Sequence, residues 1–175
     1  MFADPAKNIS YLQLEPGMKV ADFGVGSGEY SFAAARALGS AGRVFAIDIQ
    51  KELVDKVVNE AKGRHLPAAV DGLWGDVETR GGAKLADGAV DAVILSNILF
   101  QVDSPYGLAL EVKRVLRPGG KVLVIDWQDS YGGIGPPPDR VILPAKAEEV
   151  MLAAGFIKDN AFAAGAHHYG LVFHI

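Results

Sequence analysis

The chain contains no cysteine. That absence excludes a disulfide scaffold, a thiolate-ligated zinc or iron–sulfur site and a cysteine nucleophile together. Long apolar runs are missing too, since none approaches the ~18 residues needed to span a bilayer. The opening MFADPAKN has no basic segment followed by an apolar stretch, so no secretory leader is read there and the cytoplasm is the expected compartment. Positive charge is in short supply. Seventeen Lys and Arg stand against 21 Asp and Glu, for a net charge of −4. The basic residues are scattered, as in Lys51, Lys56, Lys62 and Arg64, which suits solvated helix faces. No basic footprint recruits phosphates, so a nucleic-acid partner is not expected.

What the chain has is apolar material, half of its 175 residues, enough for one sizeable core. Residues 1–175 are read as a single domain without room for a separate substrate domain. Short β-branched runs at Lys19–Val25, Arg43–Ile49, Ala68–Trp74, Ala89–Leu95 and Lys121–Trp127 alternate with helical segments at Glu29–Leu38, Lys51–Lys62 and Pro105–Leu116. In the second of these helices Leu53, Val54, Val57, Val58 and Ala61 form one stripe. Strands apolar on both faces, alternating with amphipathic helices, predict a parallel sheet covered on both sides. After Trp127 the alternation breaks into a Gly/Pro loop, a helix over Pro144–Ala154, and strands at Phe156–Ala163 and His168–Ile175. Their short linker, Ala164–Ala166, predicts a hairpin and therefore an antiparallel last strand. The expected fold is α/β: a Rossmann-like, doubly wound, mostly parallel sheet with helices on both faces.

The first strand runs into Asp22-Phe23-Gly24-Val25-Gly26-Ser27-Gly28, with a helix starting at Glu29. Glycines between strand and helix let a ligand approach backbone N–H groups at a helix N-terminus, where an anionic group is favoured. A dinucleotide fingerprint asks for Gly or Ala where this chain has Glu29. A carboxylate there would face a pyrophosphate, so NAD is disfavoured. The pattern D-x-G-x-G-x-G better suits a ligand carrying one carboxylate and one positive group.

Five segments in order extend this reading: VADFGVGSG, VFAIDIQ, WGDVE, VDAVILSNILFQV and VKRVLRPGGKVLVIDW. Together, over Gly17–Trp127, they resemble the class I S-adenosylmethionine-dependent methyltransferases. The later GPPPDR, EEVMLAAGF and HHYGLVF segments are similar to small members near the ubiquinone/menaquinone methyltransferase branch (methyltransferase type 11). The resemblance implies S-adenosylmethionine as cofactor. It implies that Gly24, Gly26 and Gly28 pass close to the methionine part and that Asp22 helps hold the ammonium group. Asp48 would accept from both ribose hydroxyls, and Ile49 would pack on the adenine. Asp76 would accept from the adenine amino group with the Val77 N–H nearby, while Ser96 and Asn97 close the methionine side. Asp48 or Asp76 alone would pass for a loop carboxylate or helix cap. At the ends of consecutive strands, where such sheets bind ligands, the pair points to a site.

The implied function is methylation (a transferase reaction) by in-line methyl transfer to a nucleophile on a small-molecule acceptor. Two other readings stay open: a non-catalytic cofactor-binding subunit that supports a partner, and a methyltransferase of protein or RNA. The segment Ser96-Asn97-Ile98-Leu99 departs from the Asn/Asp-Pro-Pro-aromatic motif of many enzymes that methylate exocyclic base nitrogens. Such cofactors need no fixed catalytic residue. Candidates for a base or acceptor-positioning group are His167 and His168, which begin the last strand and, as strand neighbours, point to opposite faces. They form no chelating pair, and no metal site is expected. Trp127 and Tyr131 are the candidate acceptor-pocket residues, with Gly132–Pro138 as a lid. Near the N-terminus a helix over Pro5–Leu12, with Asp4 as its cap, would bring Phe2 and Asp4 close to the cofactor. So short a cover leaves an open acceptor site, to be completed by a second copy in a homodimer or by a partner.

Overall fold

Strands that are apolar on both faces need cover on both sides, and the computed structural model, which describes residues 3–175, supplies it. Strands β1 (Lys19–Phe23), β2 (Arg43–Asp48), β3 (Ala69–Trp74), β4 (Val90–Ser96), β5 (Leu116–Trp127), β6 (Ile157–Gly165) and β7 (His168–His174) form one sheet. Their order is β3-β2-β1-β4-β5-β7-β6. The first five run parallel, and β7 lies antiparallel between β5 and β6. The helices are α1 (Pro5–Ile9), α2 (Glu29–Leu38), α3 (Lys51–Gly63), α4 (Pro105–Val115) and α5 (Pro144–Ala153). None of them is long and apolar enough to cross a membrane.

Alternation along β5 shows how the two layers are filled. Val122 and Val124 point into a cluster with Leu108, Val112 and Val115 of α4 and Met151 of α5. Leu123 and Ile125 point the other way, into a cluster with Ile9 of α1 and Ala34 and Leu38 of α2. Val57 and Ala61 of α3 join Phe32 and Ala46 in a third. All four β5 residues are fully buried, so both faces of the central strands contribute to the core.

Three local details depart from the sequence reading. The expected helix over Pro5–Leu12 is α1 followed by one tight turn at Ser10–Leu12, with Asp4 accepting from the Lys7 N–H at 3.2 Å as the expected cap. Phe2 lies outside the described residues. Strand β5 begins at Leu116, which pairs with Val90, and then the register jumps so that Lys121 pairs with Ala92. Pro118 has no N–H to give a ladder, so Arg117–Gly120 bulges out, and Gly119 donates instead to the Ile175 carbonyl at 2.9 Å. The hairpin turn is Ala166–His167, which places His167 in the turn and His168 at the head of the strand.

Gly28 is needed for packing. It caps α2 with φ +82°, and a Cβ there would stand 2.8 Å from Val57 Cγ2 and 2.9 Å from Phe32 Cζ. Gly28→Ala is expected to cost about 2–3 kcal/mol, from backbone strain and overpacking between α2 and α3. Urea unfolding of the variant checks this. An unchanged midpoint would mean that the α2–α3 seam yields freely.

Candidate active site

The chain reverses its direction of winding between β1 and β4, and in such sheets the crevice at the carboxyl ends of those strands is where ligands bind. Two cavities open there. Both are lined by Gly24, Gly26 and Gln101, so they are neighbouring compartments of one cleft.

The first compartment, about 190 Å³, is lined by Asp48, Ile49, Gln50 and Leu53 on one side and Asp76, Val77 and Ile98 on the other. Asp48 ends β2 and is nearly buried. Its two oxygens accept from the Gly26 N–H at 3.2 Å and the Gln50 N–H at 2.9 Å, which ties the glycine loop to the strand beside it. Each oxygen keeps a further lone pair for a ligand hydroxyl. Ile49 is 64% exposed, an apolar platform beside that carboxylate. Asp76 accepts from the Glu78 N–H at 3.0 Å, which folds the loop after β3 around the cavity.

The second compartment, about 440 Å³, is lined by Asp22, Tyr30, Ser96, Asn97, Trp127 and His168, with Ala3, Pro5 and Ile134 over it. Asp22 is buried and accepts from the Ser31 hydroxyl at 2.7 Å. Burial pushes its carboxyl up to about 7, against the lowering effect of the Ser31 hydrogen bonds. Tyr30, in the first turn of α2, accepts from Asn8 Nδ2 at 2.9 Å and lines the compartment with Ser96. Asn97 adopts φ +55° with its N–H on the Ile125 carbonyl, and its Oδ1 is buried without a partner. Asp126, fully buried under the same loop, accepts from the Leu99 N–H at 2.9 Å and the Trp127 N–H at 2.8 Å. Burial pushes this carboxyl up to about 7 as well.

The residues singled out in the sequence meet here with few exceptions. Asp48, Ile49, Asp76 and Val77 line the first compartment, and Asp22, Ser96, Asn97 and Trp127 the second. Gly24 and Gly26 line both. Gly26 has φ +50° and nothing nearer than 3.9 Å to the place a Cβ would take, so its bare backbone faces the cleft. Gly28 lines neither and sits behind the loop against α3. Of the two histidines, His168 is in the cavity wall, whereas the His167 ring stacks on Tyr131 and bonds Asp129 at 2.9 Å. Tyr131 lines neither compartment, and Ile134 from the same segment takes its place. At the N-terminus Ala3 and Pro5 line the second compartment, whereas Asp4 lines neither compartment and caps α1 instead.

Tyr30, Gln101 and the clamp made by Asp126 were not foreseen. Tyr30 had a usable signal, since it stands in the first turn of the helix that follows the glycine loop. The other two depend on partners that sequence spacing does not reveal.

A family model described as a methyltransferase domain matches residues 21–124. Among curated proteins the chain is 26% identical over 122 residues to a 2-phytyl-1,4-naphtoquinone methyltransferase of Synechocystis sp., covering 70% of this chain and 50% of that protein. It is 29% identical over 117 residues to an arsenite methyltransferase of Halobacterium salinarum, covering 67% and 29% respectively. The chain thus spans half or less of the length of these relatives. Among solved structures it superposes on a SAM dependent methyltransferase from Aquifex aeolicus with a TM-score of 0.89 at 27% identity, covering 99% of this chain and 90% of that one. With its expected motifs gathered along one cleft and the family model spanning most of its sheet, the chain belongs to the methyltransferase domain family.

Proposed function

We propose that the chain is an S-adenosylmethionine-dependent methyltransferase acting on a small-molecule acceptor. The observation that carries this reading is the cleft itself, two compartments joined at Gly24, Gly26 and Gln101 with Asp48 in one and Asp22 in the other. The residues fit the cofactor's chemistry. Asp22 is a buried carboxyl whose influential neighbours among the described residues are Ser31 and the Asp48 carboxylate, with no cation among them, so an ammonium group would complete it. Asp48 offers acceptors for the ribose hydroxyls, Ile49 and Val77 an apolar slot for a purine, and Asp76 an acceptor for its amino group. Ser96 and Asn97 close the amino-acid end.

Once bound, the cofactor supplies an electrophilic methyl group on a sulfonium. What remains for the chain is positioning, which is worth most when the nucleophile is held in line and water is kept out. The Asp126 clamp serves this by fixing the Leu99 backbone beside the cleft, and Trp127 and Ile134 wall off the acceptor side. The names of the Synechocystis and Halobacterium relatives both denote small-molecule acceptors, which supports the same class here.

Calorimetry with S-adenosylmethionine, followed by release of S-adenosylhomocysteine with panels of small molecules, peptides and RNA, tests this reading. Micromolar binding and release with a small molecule are expected. Binding without release from any panel would favour a cofactor-binding subunit, and release only with peptide or RNA would move the acceptor to that class.

A further inference from the structure

We propose that His168 is the acceptor-binding residue of the second compartment, and that the acceptor is an uncharged aromatic molecule whose O–H or N–H meets its imidazole. This rests on the proposed function and concerns the half of the cleft that the cofactor residues leave over.

The imidazole is 2% exposed, and neither Nδ1 nor Nε2 has a hydrogen-bond partner. Buried polar atoms are nearly always paired, so an orphaned ring in a cavity wall marks where a ligand's polar atom belongs. Burial, helped by the neighbouring His167, lowers the pKa of His168 against the opposing pull of Asp129. A neutral ring offers one N–H and one lone pair, the set that a hydroxyl or a heteroaromatic N–H satisfies. Asn97 Oδ1, also buried and without a partner, is a second acceptor on the same cavity wall.

The surroundings select the rest of the molecule. The Trp127 ring lies 4.2 Å from the His168 ring at 43°, giving the subsite an aromatic surface. No lysine or arginine is among the described lining residues, whose charged members are Asp22 and Glu29, the latter paired with Arg64 at 2.8 Å. The described lining thus offers a carboxylate or phosphate no side-chain cation, and Asp22 claims the cofactor's ammonium group, so an anionic acceptor is disfavoured. Trp127 also packs against the histidine ring, and Gly135 packs on the Trp127 ring so closely that a Cβ would fall 2.9 Å from it. The exposed 131–135 segment, with positive φ at Gly132, Gly133 and Gly135, is what must lift for Trp127 to admit a ring beside His168.

The test uses the full chain saturated with S-adenosylhomocysteine and three probes of similar shape: 4-methoxyphenol, 1,4-dimethoxybenzene and 4-methoxybenzoate. Affinities are read by NMR titration, and the ¹⁵N resonances of the His168 ring report contact. The phenol is expected to bind about tenfold more tightly than either of the others and to move both His168 nitrogens. H168F should erase the preference for the phenol over the dimethoxy probe, and H168Q, which keeps a donor and an acceptor, should restore part of it. Equal affinities, tighter binding of the benzoate, a preference that survives H168F, or His168 resonances that no probe moves would each overturn the proposal. Binding of S-adenosylhomocysteine is measured first in the same samples. Its failure would bring down the cofactor reading, whereas its success with an unresponsive His168 would bring down only this inference.

Discussion

Asp48→Ala is expected to weaken S-adenosylmethionine binding by two to four orders of magnitude. Two effects combine. In the proposed binding mode the carboxylate accepts from the ribose hydroxyls, and hydrogen bonds to a charged group contribute about 1.5–3 kcal/mol each. It also holds the Gly26 and Gln50 N–H groups, so its removal frees the glycine loop from β2. Asp48→Asn separates these effects. Its amide oxygen can still accept from one backbone N–H, but it offers one acceptor atom where the carboxylate has two. The asparagine variant should therefore bind more tightly than the alanine variant and less tightly than the native chain. Calorimetry on the three proteins decides, and an alanine variant within a few-fold of native affinity would remove Asp48 from the binding site.

Asp22→Asn is expected to stabilise the ligand-free protein at neutral pH while damaging it as a binder. In the native chain the Asp22 carboxyl is pushed up to about 7 from its ordinary 3.8. The folded state thus holds a proton that the unfolded chain has already released at intermediate pH. Stability is complete below pH about 4 and falls as pH rises to about 7, by about 4 kcal/mol. Asparagine escapes this penalty. The variant should therefore exceed the native chain by about 2–4 kcal/mol at pH 8, with the advantage shrinking toward pH 4. Binding should show the opposite trend. An ammonium group favours the ionised carboxylate, so native affinity should fall as pH drops below about 7, by up to about tenfold per pH unit. The variant should bind about 10–100-fold more weakly at pH 8 and lose that slope. Matched unfolding and calorimetric series at several pH values check both halves. A native binding curve that stays flat from pH 8 to 5 would show that Asp22 does not carry the ligand's positive group.

Most of this architecture was legible in the sequence because its signals are local. The run from Lys19 to Gly28 announces a strand and a glycine turn in ten residues, and α2 follows over Glu29–Leu38 as its composition predicts. Asp48 and Asp76 stand out because charge at the end of an apolar strand needs a reason. What escaped depends on residues far apart in the chain. Asp126 reads from sequence only as a carboxylate near the end of an apolar strand, and its clamp on Leu99, 27 residues away, was not legible. Gly28 shows the converse: it fits the glycine motif, yet its contacts with Val57 and Phe32 assign it to helix packing. The histidine pair looked equivalent until the hairpin turn placed His167 beside Asp129 and Tyr131, leaving His168 in the cavity wall.

The central claim is that the two compartments form one continuous cleft, with the cofactor lying across Gly26. A crystal structure of the chain with S-adenosylhomocysteine tests it most directly. The account predicts the adenine between Ile49 and Val77 within reach of Asp76, the ribose on Asp48, and the amino group on Asp22, with the His168 side of the second compartment left free. A ligand bound elsewhere, or one whose amino-acid end fills the space beside Trp127 and His168, would contradict it.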